Sequence, residues 1–463
     1  MGTYYVATAG SSPPGSDANA GTIAAPWLTL AYAVAHITSG DTLYLRGGTW
    51  SGGEQLRIFY RGFTSLVTIK AYTGETPIID MEGVVNSDYS ACSIYVIGTD
   101  YVRFEGLTCR NSAHCGIYFV GADNSAIVNN IIEHSLYSNI HVGLSQNVTV
   151  TGNRCRWPCD YAKYGTASEE PISITASCVN VEVAYNYMTH GSTMAAEVSG
   201  GEGINVKEGC SYIYVHHNVV DQTRDDAVTP YKYCFGVDAW DVETHHIYFY
   251  DNVAINGRYG YIVEAEKTGA CHDVWVYNNV AYNCGLSSEI GTYGGGYAIP
   301  GWDSDGGEPS PGPKTNIYFY NNTCYNCRWG FQIWNSNITA PIVCRNNIFA
   351  NNVSGEVDYA VGVPTEEITY SNNLASGTFD FDDPTSASLS LTFPFGTVSV
   401  NDYHIGASSD AIGAGAVVSG GASSPYTDVT VDFDDVARGA AFDAGAYEYG
   451  SALPVGTPVL SIR

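Results

Sequence analysis

A short phrase recurs along this chain: an asparagine, often doubled, that follows alternating apolar residues and precedes another apolar residue. Examples are AIVNNII at 126–132, VWVYNNV at 274–280 and IYFYNNT at 317–323. The asparagines that align between copies are Asn130, Asn153, Asn186, Asn218, Asn252, Asn279, Asn322, Asn347 and Asn373. Copies recurring about every 25 residues, with longer insertions in places, indicate a repeat architecture. Because each unit is too small to bury a core alone, the units must stack.

The repeats are strands rather than helices, because their apolar residues alternate with period two and are rich in β-branched and aromatic types. Parallel strands wound into a solenoid place each strand directly above its counterpart one coil away. An asparagine at a fixed turn position can then hydrogen-bond to the asparagine of the next coil. The phrase therefore predicts a structural asparagine ladder.

A second family of strands precedes the ladder strands and is usually opened by glycine. Its members are GIYFV at 116–120, NIHVG at 139–143, PISIT at 171–175, GINVK at 203–207, GVDAW at 236–240, GYIVE at 260–264, GYAIP at 296–300 and GFQIW at 330–334. Two or three strands per coil resemble the right-handed parallel β-helix of the pectate-lyase-like superfamily. APWLTLAYAVAHI at 25–37 resembles the N-terminal capping helix of that group, and DFDDVARGAAFDAGAYEY at 432–449 resembles its C-terminal region.

This resemblance implies an all-β chain, a right-handed parallel β-helix of roughly ten or more coils with long loops on one face. We expect one continuous domain, with an N-terminal cap and first coil at 1–60, the β-helix at 61–380 and C-terminal coils with a capping region at 381–463. The apolar run from Trp27 to Ile37 follows Pro26, a helix-start signal, and predicts the capping helix.

The charge and composition narrow the possible partners. The net charge is −28 with only 19 Lys and Arg, which argues against nucleic acid and anionic membranes. The 36 tyrosines supply hydroxyls and ring faces that suit carbohydrate. No apolar run reaches membrane-span length, so no membrane insertion is expected. The sequence predicts a polysaccharide or oligosaccharide partner, bound by a monomer or homotrimer.

The first twenty residues show no basic region followed by a long apolar run, so no signal peptide is visible. The resemblance to secreted β-helix proteins nevertheless leads us to expect an extracellular, cell-surface or virion-associated protein. His216–His217 and His245–His246 lie on or beside ladder strands without acidic or Cys partners at metal-like spacing. Turn and surface roles are therefore predicted for these two pairs.

The candidate site lies on the outer face of the glycine-opened strands, because residues of alternate parity point to solvent there. The centre of this stripe holds Asn205, Lys207, Asp238, Trp240 and Glu264. The remaining candidates extend the stripe, lie just beyond its strands or occupy the insertion at 285–313: they are His141, Trp334, Asp241, Glu266, Trp302 and Asp303. All of these are predicted to bind substrate, with the tryptophans forming sugar subsites.

Asp238 and Glu264 fall at matching places in successive coils. In one register the two carboxylates lie roughly 5 Å apart, near the spacing of retaining glycosidases, and in a shifted register roughly 8 Å, near that of inverting ones. The main hypothesis is thus a glycoside hydrolase that uses this pair. In the same reading Lys207 and Asn205 bind or polarise the substrate, and no cofactor is required.

Two alternatives remain open. In the β-helix polysaccharide lyases that this chain resembles, a Lys or Arg on this face abstracts a proton from a uronate whose carboxylate calcium neutralises. Lys207 would be that base, although Trp240 stands where the lyases usually add an Arg. The other alternative is a non-catalytic carbohydrate-binding or structural β-helix, such as a phage tailspike or adhesin, because fold analogy alone does not separate these functions.

Overall fold

A computed structural model describes residues 1–84, 91–160, 170–189, 202–223, 233–265, 267–286, 293–300, 312–334, 337–360, 362–393, 395–418 and 429–450. The chain forms two compact units. The first comprises Met1–Ile213 with Gln222–Val228, and the second comprises Tyr214–Asp221 with Thr229–Arg463. The boundaries proposed from the sequence at residues 60 and 380 stay a prediction.

The first unit contains one short helix, α1 (Leu30–His36), and three parallel sheets. The ladder sheet contains β1 (Thr3–Val6), β2 (Thr42–Leu45), β5 (Val67–Ala71), β8 (Val102–Glu105), β11 (Ala126–Val128), β14 (Gln146–Thr151) and β17 (Val179–Ala184). The third sheet contains β3 (Gly48–Trp50), β6 (Pro77–Asp80), β9 (Thr108–Arg110), β12 (Ile131–Glu133), β15 (Arg154–Arg156) and β18 (Tyr187–Thr189). The stripe sheet contains β4 (Leu56–Phe59), β7 (Ile94–Ile97), β10 (Ile117–Val120), β13 (Ile140–Gly143), β16 (Ile172–Thr175) and β19 (Ile204–Val206).

The second unit repeats this plan, and β20 (Ser211–His216) has residues in both units. Its ladder sheet continues with β23 (Thr244–Tyr250), β26 (Cys271–Tyr277), β29 (Lys314–Tyr320), β32 (Ile342–Arg345) and β35 (Ile368–Ser371). Its third sheet contains β21 (Val219–Asp221), β24 (Val253–Ile255), β27 (Val280–Tyr282), β30 (Thr323–Tyr325) and β33 (Ile348–Ala350). Its stripe sheet contains β22 (Phe235–Asp238), β25 (Tyr259–Glu264), β28 (Gly295–Ile299), β31 (Trp329–Ile333) and β34 (Gly355–Tyr359).

After the last coils the chain adds a 3-10 helix (Thr365–Glu367) and two antiparallel pairs. These are β36 (Phe381–Asp383) with β39 (Asp402–Ile405), and β37 (Leu389–Phe393) with β38 (Gly396–Val400). From β4 to β33 the coils run from a stripe strand through a ladder strand to a third strand, so the parallel β-helix expected from the sequence is confirmed. No helix in the described ranges is long and apolar enough to cross a membrane.

The predicted asparagine ladder is present in both units. In the first, Asn130 Nδ2 donates to Asn153 Oδ1 at 3.1 Å, and Asn153 Nδ2 donates to Asn186 Oδ1 at 3.0 Å. In the second, the chain of amide bonds runs through Asn218, Asn252, Asn279, Asn322, Asn347 and Asn373. Each side-chain oxygen also accepts the backbone N–H of the preceding ladder residue, as Asn322 Oδ1 does from Asn279 at 3.0 Å. The ladder therefore satisfies buried turn groups that the strands leave unpaired.

Inside each coil, apolar residues of the three sheets fill the core. In the second unit the rings of Phe235, Tyr261 and Tyr297 stack one above another, with centroid spacings of 4.8 and 5.1 Å. All thirteen cysteines are buried free thiols, so this core does not depend on disulfides.

The capping helix is shorter than the predicted run from Trp27 to Ile37. Thr29 forms the N-cap, and its side chain accepts a hydrogen bond from the Tyr32 N–H. The Asp17 carboxylate binds the N–H groups of Leu28 and Thr29. The helix therefore begins at Leu30, because Thr29 has extended backbone and caps the first turn.

Replacing Asn279 with alanine should strongly destabilise the second unit. Asn279 has no exposed surface, donates to Phe249 O and Asn322 Oδ1, and accepts from Asn252. Losing these bonds leaves several buried groups unsatisfied, so we expect a loss of about 2–4 kcal/mol in unfolding free energy, measured by denaturant titration. Asn401→Ala changes a half-buried asparagine outside the ladder, which donates to Pro384 O, and should cost clearly less. Equal losses would contradict a structural role specific to the ladder.

The C-terminal segment, residues 429–450, packs on the turns of the second unit. Asn278 Nδ2 donates to Val431 O at 2.9 Å, and the buried Arg438 guanidinium donates to Asn278 Oδ1 at 2.9 Å and to Glu448 at 3.1 Å. His404, on β39, donates to Asp402 and Asp434, both at 2.5 Å. A buried ion-pair network therefore holds this segment in place.

His404 should make stability depend on pH. Burial opposes its charge, but hydrogen bonds to Asp402 and Asp434 outweigh burial and raise the pKa of His404 to about 10 from 6.5. A raised folded-state pKa gives stability that is complete below about pH 6.5 and lost as the pH rises to about 10. His404→Gln should therefore lower the unfolding free energy by about 1.5–3 kcal/mol at pH 6 and by much less at pH 10. A pH-independent difference in denaturant titrations would contradict this account.

Candidate functional site

The stripe sheet of the first unit presents one column of outward side chains in exact register. Tyr95, Tyr118, His141, Ser173 and Asn205 pair successively across β7, β10, β13, β16 and β19. Lys207 continues the neighbouring column, since its N–H bonds to Ile174 O beside Thr175. The structure thus brings together His141, Asn205 and Lys207, as the sequence pattern predicts.

This column changes from aromatic to polar along the unit. The rings of Tyr118 and His141 stack with centroids 4.5 Å apart. Burial, with added repulsion from His114 and Lys207, lowers the pKa of His141 to about 3. His141 is therefore a neutral ring at physiological pH, suited to stacking and neutral hydrogen bonds rather than to anion binding.

Beyond His141 the column becomes polar and buried. Ser173 is fully buried, and its hydroxyl oxygen has no hydrogen-bond partner among the described residues. Asn205 is 1% exposed in the next strand. The unpartnered Ser173 hydroxyl is the kind of buried polar group that calls for an explanation.

Lys207 supplies the cation of this surface. Its Nζ lies 2.7 Å from Glu170 Oε1, and its side chain is 24% exposed whereas that of Glu170 is 5% exposed. Glu170 immediately precedes β16 at the end of an insertion. The ammonium is therefore anchored by a buried carboxylate but can still be reached from solvent.

In the second unit, Asp238 and Glu264 are direct partners on adjacent strands. This pairing corresponds to the closer of the two registers considered from the sequence. Both carboxyl groups are nearly inaccessible, with residue exposures of 4% and 2%. The predicted juxtaposition is therefore present, but the described residues bury it more deeply than an open catalytic groove would.

Lys314, a residue that the sequence pattern missed, lies close to this pair. It is the first residue of β29, is fully buried, and donates to Gly312 O at 3.1 Å. Burial lowers the pKa of Lys314 to about 8, although Cys271, Glu264 and Asp238 act in the opposite direction. A buried lysine thus supplies positive charge to the carboxylates of the second unit.

Lys314 should produce a measurable pH dependence of stability. Its folded pKa of about 8 lies below the unfolded value of 10.5, so between these values the unfolded chain binds more protons and stability rises with pH. Relative to Lys314→Met, the wild-type unfolding free energy should gain up to about 3 kcal/mol from pH 8 to pH 10.5. The half-buried Lys70, replaced by Met, is the matched control. Parallel pH curves for wild type and Lys314→Met would refute this assignment.

The predicted tryptophan subsites are only partly available. Lys267 Nζ lies 4.0 Å from the centre of the half-buried Trp240 ring, a cation–π contact. Asp241 is exposed and accepts a 3.4 Å hydrogen bond from Thr268. Trp334 donates to Asp358 at 3.1 Å, and Tyr293 packs edge-on against its ring at 3.9 Å. Trp240 and Trp334 therefore already have ring contacts within the second unit.

Glu266, Trp302 and Asp303 lie outside the described residues, and their predicted roles stay predictions. Glu170 and Lys314 were missed for different reasons. Glu170 ends an insertion, where no repeat pattern identifies a residue's position. Lys314 could have been noticed, because it begins its ladder strand at the position that Thr244 and Cys271 occupy in the two preceding ladder strands. A lysine in such a column is unusual.

Calcium, which the resemblance to lyases implies, can be considered for Asp238 and Glu264. Two carboxylates on adjacent strands are the hard oxygen donors that calcium prefers. The donor types fit, and a bound calcium would add positive charge to neutralise an acidic substrate group. Lys314 already provides part of that charge to the pair.

Residues 4–156 match a family model described as "Pel9A-like, right handed beta helix region". The pectate lyase PEL9 of Emericella nidulans is 46% identical over 72 residues, which are 15% of this chain and 18% of that protein. The uncharacterized protein YwoF of Bacillus subtilis is 37% identical over 79 residues, 17% of this chain and 16% of that protein. These alignments thus span less than a fifth of either relative.

Among solved structures, the crystal structure of pectate lyase Pel9A matches with a TM-score of 0.55 and 16% identity, covering 97% of this chain and 96% of that one. At this identity the likeness concerns the fold. Together with the family match, it identifies the chain as a right-handed parallel β-helix similar to that of Pel9A.

Proposed function

We propose that this protein is a polysaccharide lyase that cleaves a uronate-containing polymer by β-elimination. The observation that carries the proposal is the Lys207–Glu170 pair, a solvent-reachable ammonium held by a buried carboxylate on the stripe sheet. The similarity of a 72-residue stretch to a protein named pectate lyase supports the same chemistry. From the sequence, the lyase is an alternative to a glycoside hydrolase, and we now prefer the lyase.

Lys207 acts first as a cation that binds the uronate carboxylate, because the chain carries few positive charges to do so. To act as the base, it must first lose its extra proton to solvent, and Glu170, at 2.7 Å, holds the amine in position. The neutral amine then removes the proton on the carbon next to the uronate carboxylate. A carbon–carbon double bond forms, the glycosidic C–O bond breaks, and the leaving oxygen takes a proton from water.

The aromatic and polar column beside Lys207 would bind the sugar rings. The stacked Tyr118 and His141 rings offer a face to sugar C–H groups. Ser173 and Asn205 continue the column but are buried, so Lys207 is the polar group beside them that a sugar can reach. Because His141 remains neutral, Lys207 is the positive charge at the polar end of the column, which favours placing the uronate carboxylate there.

A glycoside hydrolase that uses Asp238 and Glu264 is the second candidate. Their direct pairing on adjacent strands favours it, since the roughly 5 Å strand spacing approaches that of retaining enzymes. Their deep burial counts against it, because a nucleophile and an acid must both reach the glycosidic bond.

Replacing Lys207 should abolish lyase activity without unfolding the protein. We expect the wild type, incubated with a panel of acidic and neutral polysaccharides, to release reducing ends together with an ultraviolet-absorbing unsaturated product on a uronate polymer. Lys207→Met should lower kcat at least about 100-fold, because general-base catalysis contributes that much or more. Lys70→Met serves as the matched control and should keep full activity.

The same assay separates the candidates. Reducing ends without absorbance, lost in Asp238→Asn and Glu264→Gln, would replace the lyase proposal with the hydrolase. Full lyase activity in Lys207→Met would refute the role of this lysine. No cleavage across the panel, with or without calcium, would favour a binding or structural β-helix.

A further inference from the structure

The turns of the second unit and its C-terminal segment bring three potential metal ligands together. His217 and Asp251 occupy the same place in successive coils, each directly before a ladder asparagine. Both adopt left-handed backbone, with φ of 53°. Asp435, with φ of 61°, comes from the C-terminal segment. One ligand atom from each of the three residues lies within 4.8 Å of the others.

Asp251 gives independent reason to expect a ligand there. The residue is 2% exposed, and its Oδ1 has no hydrogen-bond partner among the described residues, although Asn278 hydrogen-bonds the same carboxyl group. A buried carboxylate oxygen with neither a donor nor a cation is costly, and such groups call for an explanation. A metal ion bound at this oxygen would provide one.

Nearby protein cations are bound to other carboxylates. The Arg438 guanidinium donates to Glu448, and His404 bridges Asp402 and Asp434. Asp432 accepts backbone N–H groups from Asp434, Val436 and Glu448. Within the described ranges, no salt bridge reaches Asp251 or Asp435, although Arg438 attracts the Asp251 carboxylate and His216 attracts that of Asp435 without direct contact.

We propose that His217, Asp251 and Asp435 bind a zinc ion that ties the C-terminal segment to the turns of the second unit. One imidazole nitrogen and two carboxylate oxygens form a donor set that zinc accepts, whereas calcium prefers oxygen ligands alone. The three ligand atoms lie within 4.8 Å of one another. A small closing movement would bring each of them to the zinc-to-ligand distance of about 2 Å. Phe433 lies beside the His217 ring, at 6.5 Å between centroids, so the ion would fasten a contact that already exists.

The sequence pattern did not reveal this site. It assigned the His216–His217 pair to turns because no acidic residue lies nearby in the chain at metal-like spacing. Asp251 is one coil away and Asp435 belongs to the C-terminal segment. Only the folded chain brings these ligands together.

Zinc binding can be measured on the full-length protein without reference to its activity. After treatment with a chelator, titration calorimetry with Zn²⁺ should give one site per chain that Ca²⁺ does not fill. Saturating Zn²⁺ should raise the melting temperature by about 3 °C. Asp251→Asn and Asp435→Asn should each weaken zinc binding at least about tenfold. Asp382→Asn makes the same change of charge at an exposed residue of β36. This control should keep the zinc affinity and the rise in melting temperature.

The stability of the variants distinguishes a metal ligand from a structural aspartate. In chelator, Asp251→Asn should be at least as stable as the wild type, because the substitution removes a buried carboxyl group. With Zn²⁺ present, the variant should be less stable than the wild type. Equal destabilisation with and without Zn²⁺ would overturn the proposal. Unchanged zinc affinity in the exposed-residue variant Asp435→Asn, or no zinc binding by the wild type, would also overturn it.

Discussion

The hydrogen bonding of each coil to the next fixes almost everything else in this protein. The ladder asparagines bind side chain to side chain and side chain to backbone, so each turn is held at one height and in one register. A strand that slipped by one residue would break these bonds and would also turn its core residues outward. Because the ladder excludes such slips, residues far apart in the sequence form straight columns across the sheets.

Those columns explain both the polar surface of the first unit and the carboxylate pair of the second. Outward positions on the stripe sheet repeat at every coil, so a run of aromatic, polar and charged residues becomes a continuous surface without any further folding device. The same regularity places Asp238 directly beside Glu264. Like charges at the strand spacing repel, and the buried Lys314 reduces that repulsion.

The sequence was sufficient to predict the fold and the columns, because both depend on local periodicity. The alternation of apolar residues indicated the strands, and the repeated Asn indicated where the coils turn. What it could not predict are contacts without a fixed repeat position. Glu170 reaches Lys207 from the end of an insertion, and Asp435 reaches His217 and Asp251 from the C-terminal segment.

The distribution of positive charge connects these observations to function. With a net charge of −28, the protein as a whole repels an acidic polymer, so binding must depend on local cations at short range, where salt screens them less. Lys207 meets that requirement because Glu170 anchors it while leaving it partly exposed. Lys314 does not, because its side chain is fully buried and a substrate cannot reach it. In so acidic a chain, the accessibility of a lysine, more than its position in the stripe, decides whether it can act on a charged substrate.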